Sequence, residues 1–87
     1  MIIIMNITNM NMMNRDLELV EELACLCLGM KLPLDIYNSV NGEIIIAANV
    51  KITKHRLMKV VKNKQHVMID PSPIKDKILT IIKPYLS

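Results

Sequence analysis

Residues 42–53 read GEIIIAANVKIT, and this stretch decides the fold. The three consecutive isoleucines at 44–46 form a short apolar run of the kind that predicts a buried strand. Gly42 follows an asparagine, and an Asn-Gly step is a strong hairpin signal because both residues tolerate positive φ. Thr53 is a typical helix N-cap, since its hydroxyl accepts from the free amides of a first turn. The stretch therefore predicts a turn, a strand over 43–50 and the start of a helix.

The residues before this stretch predict one helix and one strand. Apolar side chains recur at helical spacing over residues 15–25, with Asn14 as the expected N-cap and Gly29 as the expected end. Apolar and polar residues then alternate over 32–36, which is the period of a half-buried strand. Pro33 cannot donate to a ladder, so we expect this strand to lie at an edge of the sheet or to be bulged.

The residues after this stretch predict two helices and a third strand. The helix that Thr53 begins carries an apolar stripe on one side and basic residues on the rest of its surface. Val67 to Ile69 reads as a short strand, and Ser72-Pro73 opens a last helix that Pro84 ends. We predict an α+β fold, in which a small antiparallel β-sheet (a hairpin plus one further strand) packs with three helices.

Two segments are expected. Residues 14–87 form a single small α+β domain, and residues 1–13, which are rich in Met and Asn, precede it as either a ragged or a strand-forming segment. The chain has 87 residues with no Phe or Trp and eight Met, so its core must be a thin aliphatic one. A domain this short hides only about 60–65% of its unfolded surface, which favours self-association or a protein partner.

The residue types for catalysis and metal binding are sparse. Cys25 and Cys27 lie one residue apart, a spacing that matches neither a disulfide framework nor a zinc site. We expect both thiols to be structural, buried and reduced, which indicates a cytoplasmic protein. His55 and His66 read as surface residues. No catalytic residue, no metal and no cofactor is expected, and the apolar runs are far below the ~18 residues that cross a membrane.

Charge is divided between the two halves of the chain. Residues 1–50 hold two basic and six acidic side chains, a net charge of −4, whereas residues 51–87 hold nine and two, a net charge of +7. The basic half either faces an anionic partner or complements the acidic first helix. The candidate surface for an anionic partner consists of Lys54, Arg56, Lys59, Lys62 and Lys64.

The middle of the chain resembles a known family. Residues 26–69 are similar to the small N-terminal domain that precedes the catalytic domain of HD-GYP cyclic-di-GMP phosphodiesterases. The matching positions are Leu26, Gly29, Met30, Leu32, Asp35, Ile36, Tyr37, Gly42, Ile44, Ile45, Ile46, Ile52, Thr53, Leu57 and Val60. A strand-turn-strand of this kind also recurs, as a structural element, inside the large subunits of bacterial RNA polymerase.

Two positions depart from the HD-GYP-associated pattern. Leu28 stands where that family often has Pro. Asn49 stands where it usually has Gly, and Asn is the non-glycine residue that best tolerates the left-handed conformation. Asp35 is expected to tie a turn through backbone amides. Neither the His-Asp pair nor the Gly-Tyr-Pro segment of the phosphodiesterase is present, so the resemblance implies no activity.

The resemblance favours a non-catalytic accessory or regulatory module that acts through protein contacts. Its candidate interaction edge consists of Met30, Leu32 and Leu34. The first alternative is a small basic nucleic-acid-binding protein that uses the helix 54–64. The second is a sensor of an anionic nucleotide such as cyclic-di-GMP, for which the chain offers Arg15 and Arg56.

Overall fold

The computed structural model describes residues 13–86, and this part of the chain forms three α-helices and one three-stranded antiparallel sheet. The predicted α+β fold is confirmed. The elements in chain order are α1 (Asn14–Cys27), β1 (Ile36–Asn38), β2 (Ile44–Ile46), α2 (Lys54–Lys62), a 3-10 turn (Lys64–His66), β3 (Val67–Ile69), α3 (Pro73–Ile82) and a second 3-10 turn (Lys83–Tyr85). Apart from Met13, the predicted N-terminal segment 1–13 lies outside the described residues.

The predicted hairpin is confirmed, and its first strand is the centre of the sheet, whose order is β2-β1-β3. Ile36 lies opposite Ile46 of β2 and Ile69 of β3. The turn closes where Gly42 N donates to Asn38 O at 2.8 Å, with Gly42 at φ 75°. All three isoleucines are buried, so the sheet carries the centre of the core.

The strand predicted over 32–36 has the wrong bounds and lies at the centre of the sheet, although β1 does have a bulge-type shift of register between Ile36 and Tyr37. The chain bends at Pro33, which has no N–H to donate, and the strand begins only at Ile36. Before the bend, Lys31 forms an isolated antiparallel bridge with Lys51. The period-2 pattern correctly predicted which of these residues are buried, but it did not predict the structure that they form.

β2 is shorter than the strand predicted over 43–50, because the loop after Ile46 turns sharply. Asn49 has φ 64°, which confirms the left-handed conformation expected there, and its N donates to Leu32 O at 2.6 Å. Asp35 Oδ1 accepts from Ala48 N at 2.7 Å. Asp35 therefore ties a turn as predicted, although the turn is the one that follows β2.

The helix termini follow the sequence signals with one exception. Thr53 Oγ1 accepts from Arg56 N at 3.2 Å and caps α2, and Ser72 caps α3 in the same way. Gly29, at φ 83°, lies just after the end of α1. The N-cap of α1, however, is Met13 and not Asn14, which is already helical, and no side chain caps this end.

The core lies between the sheet and the three helices. Its largest fully buried side chains are Leu19, Leu23, Ile36, Ile52, Leu57, Ile69, Ile78 and Ile82. Every helix in the described part of the chain is too short or too polar to span a bilayer.

The two cysteines differ. Cys27 is 2% exposed, and its Sγ donates to Leu23 O at 3.2 Å, so its structural burial is confirmed. Burial raises the pKa of the Cys27 thiol because the thiolate would lose its hydration. The expected burial of Cys25 is wrong, since a step of two residues turns it about 200° away from the core side of α1.

Candidate nucleic-acid interface

The basic helix α2 is positioned by its apolar side and by its N-cap. Leu57, Val60 and Val61 are each at most 2% exposed and lie in the core. With this side buried, most of the remaining side chains of α2 point outward. The predicted basic residues of this region therefore stand on the outside of the domain, as the sequence pattern indicates.

Two of the five predicted cations form ion pairs within the chain. Lys54 Nζ lies 2.8 Å from Glu21 Oε2, and Lys64 Nζ lies 2.7 Å from Asp16 Oδ1. Both carboxylates belong to α1. These two lysines therefore fit the alternative in which the basic half of the chain complements the acidic first helix.

Arg56 is held close to its own helix terminus. It is half-buried, and its Nη1 lies 3.5 Å from Thr53 Oγ1. A guanidinium in this position is only partly free to bind an external anion.

Lys59 and Lys62 form the exposed remainder of the predicted surface. They border a groove of about 440 Å³ between α2 and the outer strand β2, which we call the basic groove. Its lining residues are Glu43, Ile44, Ile45, Lys59, Lys62 and Asn63. Within residues 13–86 neither ammonium group forms an ion pair, so both lysine charges face solvent, and Glu43 adds one negative charge to the lining.

The groove is held together by a buried amide that sequence reasoning missed. Asn38 is 7% exposed; its Nδ2 donates to Asn63 Oδ1 at 3.0 Å, and its Oδ1 accepts from Val40 N at 2.8 Å. Asn63 Nδ2 in turn donates to Lys59 O at 2.8 Å. This network joins the hairpin to the end of α2. No sequence signal pairs two asparagines 25 residues apart.

The predicted interaction edge is not one continuous exposed edge. Leu32 is 6% exposed and belongs to the core, and Leu34 is half-buried. Met30 is 43% exposed and is the accessible member of the three. A protein-binding role for this region stays a prediction.

Arg15, proposed for an anionic nucleotide, is engaged elsewhere. Its Nη2 donates to Pro84 O at 3.2 Å, and its guanidinium carbon lies 4.9 Å from the centre of the Tyr85 ring. The Tyr85 hydroxyl donates to Glu22, and this hydrogen bond raises the pKa of Tyr85. The contacts tie the C-terminal turn to α1.

The chemistry that the arrangement offers is positive charge. His55 and His66 are exposed, as predicted. Among residues 13–86 there is no group of three His, Cys, Asp or Glu side chains that could hold a metal ion. What the basic groove can do chemically is attract an anion to two lysines beside an open strand.

The sequence is similar to part of a bacterial transcription enzyme. It is 49% identical over 65 residues to the DNA-directed RNA polymerase subunit beta of Methylacidiphilum infernorum (isolate V4). The match covers 75% of this chain but only 5% of that subunit, so the chain spans a small fraction of this relative. No family model matches the chain, and no solved structure matches it.

This similarity overturns the resemblance to the HD-GYP-associated domain, and with it the accessory module of that family. The matched positions explain the error. Gly29, Gly42 and Asn49 have positive φ, and most of the matched aliphatic residues lie in or against the core, so these positions reflect the local fold and not an activity. The other similarity, to a structural element of RNA polymerase large subunits, agrees with the relative that was found.

Proposed function

We propose that this chain is a non-catalytic module that binds DNA through the basic groove. The observation that carries the proposal is the 49% identity to a segment of a DNA-directed RNA polymerase subunit. That relative is named for an enzyme that is directed by DNA, so DNA is the anionic partner that we propose for a chain aligned with it over three quarters of its length.

The geometry supports a contact with the phosphate backbone. Lys59 and Lys62 are exposed on the last turns of α2, where two ammonium groups act as point charges toward phosphate oxygens. The two described tyrosines are half-buried, and neither lines the basic groove, so stacking on bases is not part of the proposal. We therefore propose binding that depends on charge and is largely independent of base sequence.

A polymerase subunit also assembles with other proteins, and a protein partner is a second proposal. Leu28 and Met30 are 49% and 43% exposed and lie close together in the chain after α1, which makes them the candidate contact. Sedimentation of the chain over a range of concentrations would detect self-association at this site. Substitution of both residues by Ser should abolish it, and association that is unchanged in this variant would contradict this contact.

The DNA-binding proposal is tested by the salt dependence of affinity. A short labelled duplex is titrated with the protein at salt concentrations between about 50 mM and about 200 mM, and log Kobs is plotted against log salt. Replacement of Lys59 and Lys62 by Gln removes two phosphate contacts. It should therefore reduce the magnitude of the slope by about 1.8.

The matched control removes the same charge elsewhere. Lys77→Gln/Lys83→Gln replaces two exposed lysines of α3 and the turn that follows it, outside the basic groove. This control should retain the slope of the unmodified protein. Equal losses in both double variants would show a general charge effect and contradict the groove, and a wild-type protein that does not bind DNA would refute the function itself.

A further inference from the structure

A pair of like charges lies away from the basic groove. Lys31 and Lys51 are direct partners in an isolated antiparallel bridge. Like charges opposite one another in an antiparallel pair destabilise it, since the Cβ atoms of opposed residues are only about 4.5–5.5 Å apart. The backbone therefore places the bases of two lysine side chains next to each other.

The backbone fixes how close the two side chains are. Ile52 N donates to Met30 O at 2.8 Å, and these two residues are the chain neighbours of Lys51 and Lys31. This hydrogen bond makes Lys31 and Lys51 a non-hydrogen-bonded pair, the type in which opposed side chains lie closer. Gly29 N donates to Ile52 O at 2.8 Å and holds the same two segments together.

Both side chains point to solvent. Leu32 and Ile52, the next residues along each segment, are 6% and 1% exposed and lie in the core. Successive residues of an extended segment point to opposite faces, so Lys31 and Lys51 both point outward. Both are exposed, and neither belongs to an ion pair formed within residues 13–86.

We infer that Lys31 and Lys51 together bind a phosphate group of a DNA backbone. The pair presents six N–H donors and two positive charges on one face, and a phosphodiester carries a negative charge on oxygens that accept such donors. A bound phosphate removes the repulsion between the two ammonium groups. The inference rests on the proposed function for the identity of its ligand and adds a second point of contact to the basic groove.

The first test uses inorganic phosphate alone, without DNA. In a titration at constant ionic strength, the backbone amide signals of Lys31 and Lys51 should shift and saturate in nuclear magnetic resonance spectra. In Lys31→Gln/Lys51→Gln these shifts should be lost, while the signals of Lys59 and Lys62 behave as in the unmodified protein. Equal shifts with acetate, or none with phosphate, would overturn the inference.

The second test repeats the DNA titration with the same double variant. Loss of two phosphate contacts should reduce the magnitude of the salt slope by about 1.8, and Lys77→Gln/Lys83→Gln should leave it unchanged. If the basic-groove variant loses affinity but the Lys31/Lys51 variant does not, the inference fails and the proposed function stands. If the unmodified protein shifts with phosphate but binds no DNA, the proposed function fails and the phosphate site remains.

Discussion

Replacing Lys51 by Glu should stabilise the domain, because it converts the repulsion across the Lys31–Lys51 bridge into attraction. Two unit charges about 5 Å apart in bulk water interact by about 0.8 kcal/mol. For charges at this separation in bulk water, the change from repulsion to attraction is therefore about 1.6 kcal/mol. Both side chains are exposed and lose rotamer freedom when they pair, so we expect a gain of about 0.5–1 kcal/mol.

The gain is measured by urea unfolding at low ionic strength. A domain of this size should also show a rise in Tm of roughly 2–8 °C, because each 1 kcal/mol corresponds to about 4–8 °C. Lys51→Gln removes the repulsion without adding attraction and should give about half the gain. Lys31→Glu/Lys51→Glu restores a like-charge pair and should return to the stability of the unmodified protein.

Measurements at high salt test whether the gain in stability is electrostatic. At about 1 M salt the screening length falls to about 3 Å, so the differences between the variants should nearly vanish. A Lys51→Glu protein no more stable than Lys51→Gln at low salt would refute the close opposition of the two side chains. A gain that persists unchanged at high salt would refute its electrostatic origin.

Three further predictions concern the elements around the site. Asn38→Ala removes the part-buried hydrogen bonds to Asn63 and Val40, each worth about 0.5–1.5 kcal/mol, and should cost about 1–3 kcal/mol in urea unfolding, whereas an unchanged midpoint would contradict the Asn38–Asn63 network. Thr53→Ala removes the N-cap of α2 and should cost about 1 kcal/mol, with Thr53→Ser as the control that keeps the hydroxyl. A thiol reagent should modify Cys25 rapidly and Cys27 only when the domain opens, because Cys27 is buried and its raised pKa keeps it protonated; two equally fast thiols would contradict this.

Local signals predicted the turns and helix ends well. Gly29, Gly42 and Asn49 all have positive φ, and Thr53 caps its helix, because each of these features depends on a few neighbouring residues. The strand over 32–36 failed for the opposite reason. Met30 and Leu32 accept backbone hydrogen bonds from the distant loop at 49–52 instead of forming a strand with β2, and periodicity does not reveal this.

The site was only partly predictable. The sequence identified the basic residues of 54–64. It could not show that Lys54 and Lys64 form ion pairs with α1, because those contacts span 33 and 48 residues. The opposition of Lys31 and Lys51 depends on an isolated bridge that no pattern indicates. The resemblance that misled the functional interpretation consisted of positions that the fold requires, which carry information on structure and little on activity.

The central claim, that this chain binds DNA through exposed lysines, is tested most directly by the salt dependence of its affinity for a short duplex. If the two lysines of the basic groove and the two of the Lys31–Lys51 bridge each meet a phosphate, the slope of log Kobs against log salt should be about −3.6. Each double Gln variant should reduce its magnitude by about half. Affinity that does not change with salt, or the absence of binding at low salt, would contradict the account.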